Sequence, residues 1–168
     1  MPFSLSQACL PALELSLNAL SGCLDKGRAF AKTKNFDAAV LLNTRLAPDM
    51  FPLVRQVQIA TDLARNGAAR LAGVEPPRYE DTETSIDELK ARIAKTVDFI
   101  GGVKAAQVDG SEDKPIALRL RGGEVNFTGL SYLLGYALPN FYFHAVTAYD
   151  MLRHNGVELG KRDFLGSA

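Results

Sequence analysis

The chain has 168 residues, which fits one domain of about 100 to 200 residues with a sizeable core. Hydrophobic residues make up 47% and charged residues 23%, and nineteen Lys plus Arg balance nineteen Asp plus Glu, so disordered and fibrous classes are excluded and no basic stripe marks a nucleic-acid binder. No apolar run approaches the ~20 residues of a membrane span, and Met1-Pro2-Phe3-Ser4 lacks a secretory start, so the expected location is the cytoplasm, with neither nucleic acid nor membrane as partner.

Ser4 is suited to cap a helix, with Gln7 three residues on as its capping-box partner. Leu10, Leu13, Leu17, Leu20 and Leu24 then recur at steps of three or four and mark a buried stripe. Pro11 falls inside this pattern and is expected to kink the first turns or to move the true start later. Cys9 and Cys23 share one face but stand about 21 Å apart along a helix axis, too far for a mutual disulfide; they read as small buried hydrophobes.

From Gly27 to Asn43 the apolar pattern weakens, which predicts a short helix around Phe30 and an irregular join. Pro48 and Asp49 suit the first turn of the next helix, whose apolar face reads Met50, Leu53, Val54, Val57, Ala60, Ala64 and Ala68, with Gly73 and Pro76-Pro77 ending it. Ser85-Ile86-Asp87-Glu88 is a capping box for a third helix carrying Leu89, Ile93, Val97 and Ile100, closed by Gly101-Gly102. From Lys114 to Thr128 the period drops to two, with Ile116, Leu118 and Leu120 alternating with Ala117, Arg119 and Arg121. Gly122-Gly123 then Val125 and Phe127 predict a two-residue hairpin lying on the helices, Arg119 and Arg121 facing water. Thr128 caps a last helix that meets Pro139, as a kink or a restart, and ends at Asn155-Gly156. The fold class is therefore mainly all-α, a single domain over residues 1–168 with four long helices and one small β-hairpin before the last of them.

Pro139 to His144 crowds three aromatic rings and an imidazole into six residues, and Asn140 and His144, four apart, share a helix face with Tyr136 and Thr147 close by. One reading is a bundle core with a single hydrogen-bonded histidine; the other is a site presenting nitrogen and oxygen donors to one point. His154 lies near the helix C-terminus, where a cation is favoured against the dipole. No nucleophile elbow, phosphate-binding glycine loop, Cys-x-x-Cys or His-Glu-x-x-His competes.

Two wordings, Leu138-Pro139-Asn140-Phe141-Tyr142-Phe143-His144 with its continuation through Leu152-Arg153-His154-Asn155-Gly156-Val157 to Gly160–Gly166, and Arg45-Leu46-Ala47-Pro48-Asp49-Met50-Phe51-Pro52-Leu53, resemble the bacterial DUF1993 family over nearly the whole chain. That family is similar to the wider DinB/YfiT-like group of four-helix bundles, which often dimerise and usually hold a divalent metal such as zinc or nickel on three histidines. Carried over residue by residue, the resemblance places Asn140 and His144 on the last-helix pair and Gln56, or less closely Gln58, on the second-helix ligand. Amides then stand where two imidazoles would, so the metal site is expected to be weak or lost, an amide oxygen being a poor ligand for zinc or nickel. The resemblance implies a homodimer with a polar pocket of Gln56, Asn140 and His144, ringed by Tyr142 and Tyr136, that binds a small polar molecule, with His144 as proton donor or acceptor. A metal-dependent thiol transferase or hydrolase-type enzyme and a non-catalytic dimerisation or interaction module are the alternatives. The tail Gly160–Gly166, with Phe164 and Leu165, is expected to dock on this bundle or on a partner chain.

Overall fold

The computed structural model describes residues 4–166; Met1, Pro2 and Phe3, read above for a secretory start, lie outside them. Eight α-helices and a hairpin follow in the order α1 (Leu5–Thr33), α2 (Ala39–Leu42), α3 (Leu53–Ala72), α4 (Ile86–Gly101), α5 (Ala105–Val108), β1 (Pro115–Leu120), β2 (Gly123–Thr128), α6 (Gly129–Tyr132), a π-turn (Leu133–Ala137), α7 (Leu138–His154) and α8 (Lys161–Leu165). The long helices α1, α4, α3 and α7 close a ring in which each packs on two neighbours, giving the expected four-helix bundle. Among the described residues, no helix is long and apolar enough to cross a membrane.

Each long helix begins or ends where local chemistry demands. Ser4 accepts from the Gln7 N–H while Gln7 reaches back to the Ser4 N–H, satisfying donors that the first helical turn leaves over. Pro11 neither delays nor breaks α1. Its side chain is exposed, and the helix runs on through twenty-nine residues. The short helix expected around Phe30 is instead the C-terminal part of α1, because Phe30 packs edge-on against Phe36 beyond the helix end, and Gly27 brings α1 onto α7. A Cβ at Gly27 would stand 3.0 Å from Leu152 Cδ2.

The second long helix starts later than the Pro48-Asp49 signal. Residues 48–50 form a turn, and Pro52 is the N-cap of α3, a position where a missing N–H is no loss. The Leu53 N–H goes to the Thr44 carbonyl, which anchors that start. Gly73, at φ +71°, ends α3 in the left-handed conformation that glycine adopts without strain. The Ser85–Glu88 capping box opens α4 as expected.

In the hairpin, Leu120 pairs with Gly123, so the two turn residues are Arg121 and Gly122, one position earlier than the Gly-Gly pair suggested. Gly123 takes φ +120° as the first residue of β2, which is what the second glycine supplies. Ile116 and Leu118 are buried and Arg119 and Arg121 exposed, matching the alternation.

Pro139 cannot donate to the carbonyl four residues back, and the chain accommodates it by widening the preceding turn into the π-turn. The last long helix is thus not restarted at Pro139 but continuous from Gly129, with one wide turn. The tail docks on this bundle through Phe164, while Leu165, expected to dock with it, stays exposed. Phe164 meets Tyr149 edge-on at 5.6 Å, Asp163 pairs with Lys26 at 2.6 Å, and the Asp163 carbonyl accepts from Cys23 Sγ. Cys9 and Cys23 are free and buried, and burial pushes both thiols up to about 11.

Candidate functional site

The α3–α7 seam is built from small residues. Ala60, Ala64, Gly67 and Ala68 of α3 are buried, as are Ala137, Ala145 and Ala148 of the last helix, and a Cβ at Gly67 would stand 3.6 Å from the Ala137 Cβ. Short side chains let the two backbones approach, and that approach brings together two polar side chains of modest reach. His144 Nδ1 lies 2.7 Å from Gln56 Oε1, and Gln56 Nε2 donates to the Phe51 carbonyl at 3.2 Å, in the loop just before α3. Gln56 is 1% exposed and His144 half-buried.

Burial, with the positive charge of Arg55 adding to it, holds the His144 imidazole below the ordinary histidine range, so the ring is neutral at pH 7. Arg55 is itself tied down, donating to Asp81 and, at 3.2 Å, to Gln58 Oε1.

The other residues singled out from sequence divide. Asn140 lies on the His144 side of α7, but its Nδ2 is spent on the Tyr136 carbonyl of its own helix at 2.7 Å. Tyr136 stacks on Tyr132 and leans against Phe127, with ring centroids 5.8 Å apart in both pairs, forming a cluster that seats the hairpin on the bundle. Tyr142 precedes His144 by two residues, about 200° round the helix, with its ring against Phe141; that places it on the opposite flank from His144. Gln58 is likewise turned away from His144, and its Nε2 donates to Glu83 at 2.8 Å. Of the two glutamines on α3, Gln56 is therefore the one that meets α7.

Two of the three positions carry amides, and Gln56 Oε1 already faces His144 Nδ1. Among the described residues no group of three or more His, Cys, Asp or Glu could hold a metal ion. This donor set does not fit zinc or nickel, which favour imidazole and thiolate.

A second polar cluster, not foreseen from sequence, sits beside this site and shares Arg55 with it. Arg92 of α4, 3% exposed, donates from Nε to Thr61 Oγ1 at 2.8 Å, from Nη1 to the Glu80 carbonyl and Glu83, and from Nη2 to Asp62 at 2.7 Å; Asp81 stands 3.0 Å from Nη2. Burial opposes its charge, but the bond to Glu83 and the charges of Asp62 and Glu83 outweigh burial and raise its pKa further. Arg65 shares Asp62 at 3.0 Å and lies over the Tyr79 ring at 4.2 Å; its buried Nη1 has no hydrogen-bond partner among the described residues, and the ring face supplies part of the missing attraction. Together these bonds strap the irregular segment 74–85 across α3 and α4. In sequence, Gln58, Thr61, Asp62 and Arg65 on one helix and Arg92 and Thr96 on the next stand at helical spacing beside apolar stripes, a pattern that a solvated face shows equally.

The family described as "Domain of unknown function (DUF1993)" matches residues 5–165. No curated protein matches the chain. Its fold is similar to the crystal structure of a DinB family member protein from Shewanella denitrificans, with a TM-score of 0.91 and 42% identity over 98% of this chain and 93% of that one. A bundle of this order, matched along nearly its whole length both by the family and by a solved structure, belongs to the DUF1993 family and has the DinB-like fold.

Proposed function

We propose that the α3–α7 face around His144 binds a small polar molecule, with His144 exchanging a hydrogen bond or a proton with it and Asn140 Oδ1 as a second polar contact. The observation that carries this reading is the 2.7 Å bond between His144 Nδ1 and Gln56 Oε1, a buried amide directed across a helix seam at the ring of a half-buried neutral histidine. A histidine packed in the core would also be hydrogen-bonded; what sets this one apart is the side left over. His144 Nε2 and Asn140 Oδ1 meet no hydrogen-bond partner among the described residues.

A thermal-shift screen of a metabolite library against the wild type, His144→Ala and Asn140→Ala tests it. A ligand present at a hundred times its Kd stabilises by about 2.7 kcal/mol, roughly 5 to 10 °C for a chain of this size. The expected result is at least one such shift in the wild type that His144→Ala abolishes. Shifts that survive both substitutions, or none across the library, would leave the face as packing.

A second reading concerns partners. Leu130, Leu134, Pro139, Phe143 and Val146 are all exposed and recur at steps of four, five, four and three, the five-residue step falling across the π-turn, so that one apolar row runs along α6 and α7. An exposed row of this length supports pairing of two copies through the same face, as in a two-fold dimer. Light scattering after gel filtration should then give twice the chain mass of 18.2 kDa, falling to the monomer in Phe143→Asp. A monomeric wild type at micromolar concentration would dismiss the pairing.

A further inference from the structure

The orientation of the Gln56 amide is determined by its surroundings. The Phe51 carbonyl has lone pairs and no hydrogen, so the amide end that reaches it at 3.2 Å must be the NH2 group. The end facing His144 is therefore the oxygen, at 2.7 Å from Nδ1. Two acceptors do not bond to one another, so Nδ1 carries a proton. Turning the amide over would set oxygen against the Phe51 carbonyl and cost an amide that is only 1% exposed one of its hydrogen bonds. A neutral imidazole has a single N–H, and with that proton on Nδ1 the Nε2 atom keeps a free lone pair. Nε2 has no hydrogen-bond partner among the described residues and is not among the fully buried unpartnered atoms.

We propose that Gln56 is a positioning residue that holds His144 in the Nδ1–H tautomer, so that the Nε2 lone pair is the atom offered to a ligand and selects molecules that present an O–H or N–H to it. The arrangement works against the intrinsic preference of a histidine side chain, which in water keeps its proton mainly on Nε2. The relay Phe51 carbonyl, Gln56 amide, imidazole is what reverses that preference. Arg55, the residue before Gln56 in α3, is paired with Asp81, so that carboxylate is not left unpaired to attract an ammonium group, and the donors that suit the Nε2 lone pair at neutral pH are hydroxyl and amide hydrogens. The ligand part rests on the reading under Proposed function; the tautomer is a property of the protein alone.

A two-bond proton–nitrogen correlation spectrum of the isotope-labelled chain, recorded without ligand at a pH well above the imidazole range, reads the tautomer directly, and exposed His154 serves as an internal reference. The expected pattern for His144 is a protonated Nδ1 and a pyridine-like Nε2. Gln56→Leu removes the acceptor and should return His144 to a mainly Nε2–H population like that of His154, whereas Gln56→Glu, which keeps an acceptor oxygen, should preserve Nδ1–H. If Gln56→Leu does not fold, Gln56→Met, unbranched and of similar length, makes the same comparison. A wild type with Nε2–H, or a Leu or Met variant that retains Nδ1–H, would overturn the proposal. An empty ligand screen would remove the binding reading and leave the tautomer untouched, so the two can fail separately.

Discussion

Replacing Arg92 with methionine should lower the free energy of unfolding by about 3 kcal/mol, read as a fall in the urea midpoint. The substitution keeps most of the apolar stem, so it isolates the charge. Glu83, with its side chain 11% exposed, would retain only the Gln58 amide as a partner, while Asp62 and Asp81 would fall back on Arg65 and Arg55. Breaking a buried ion pair by removing one member costs about 3 to 5 kcal/mol because the charge left behind stays desolvated; the partial exposure of Asp62 and Asp81 sets the lower end here. Arg28→Met is the matched control. Arg28 bridges Asp25 and Asp87 at the surface, and an exposed pair of that kind contributes under about 1 kcal/mol. Equal losses in the two variants would mean that Arg92 holds segment 74–85 by packing and not by its charge.

Gly129→Ala should cost at least about 3 kcal/mol by the same measurement, through overpacking that the backbone cannot relieve. A Cβ on Gly129 would stand 1.9 Å from the Ser111 carbonyl oxygen, and neither side is free to give way. The Ser111 carbonyl already accepts from the Lys114 N–H at 3.1 Å, and the neighbouring Leu130 N–H is bonded to the Glu112 carbonyl at 2.9 Å. The hairpin would have to swing away from α6 and release Phe127 from the Tyr132–Tyr136 stack. Gly122→Ala, with nothing within 4 Å of its Cβ, should change stability by less than about 0.5 kcal/mol. A mild Gly129→Ala phenotype would show that the loop before the hairpin is far more compliant than its bonds suggest.

Both effects lie outside what the sequence discloses, and the reason differs in each case. Local signals carried most of the architecture: the boxes at Ser4 and Ser85, the cap at Gly73 and the period-two stretch from Ile116 all depend on residues within one turn or one strand of each other. Pro48 and Pro11 misled because a proline is compatible with several positions in a helix, and tertiary anchors chose among them, the Leu53 to Thr44 bond in the first case. The site was half legible. Asn140 and His144 share a face by arithmetic, but only the family likeness pointed to Gln56, eighty-eight residues away in the chain. Which atom of Gln56 faces His144, and how Asn140 spends its Nδ2, depend on the Phe51 and Tyr136 carbonyls, which no pattern of side chains encodes. Arg92 was hidden by its type, because an arginine beside an apolar stripe is ordinarily solvated and its five partners come from two separate stretches of chain.

The π-turn at Leu133–Ala137 also sets an angle. Each residue of an α-helix advances the chain by about 100°, so one residue absorbed in a wide turn changes the phase between everything before it and everything after it. Upstream of that point the chain presents Tyr132 to the hairpin; downstream it presents His144 to Gln56. A relative with one residue fewer between its hairpin and its last helix would keep both halves recognisable, yet could not keep both faces aimed as they are here. In such a chain the residue written in the place of His144 would be a poor guide to the residue that meets the amide.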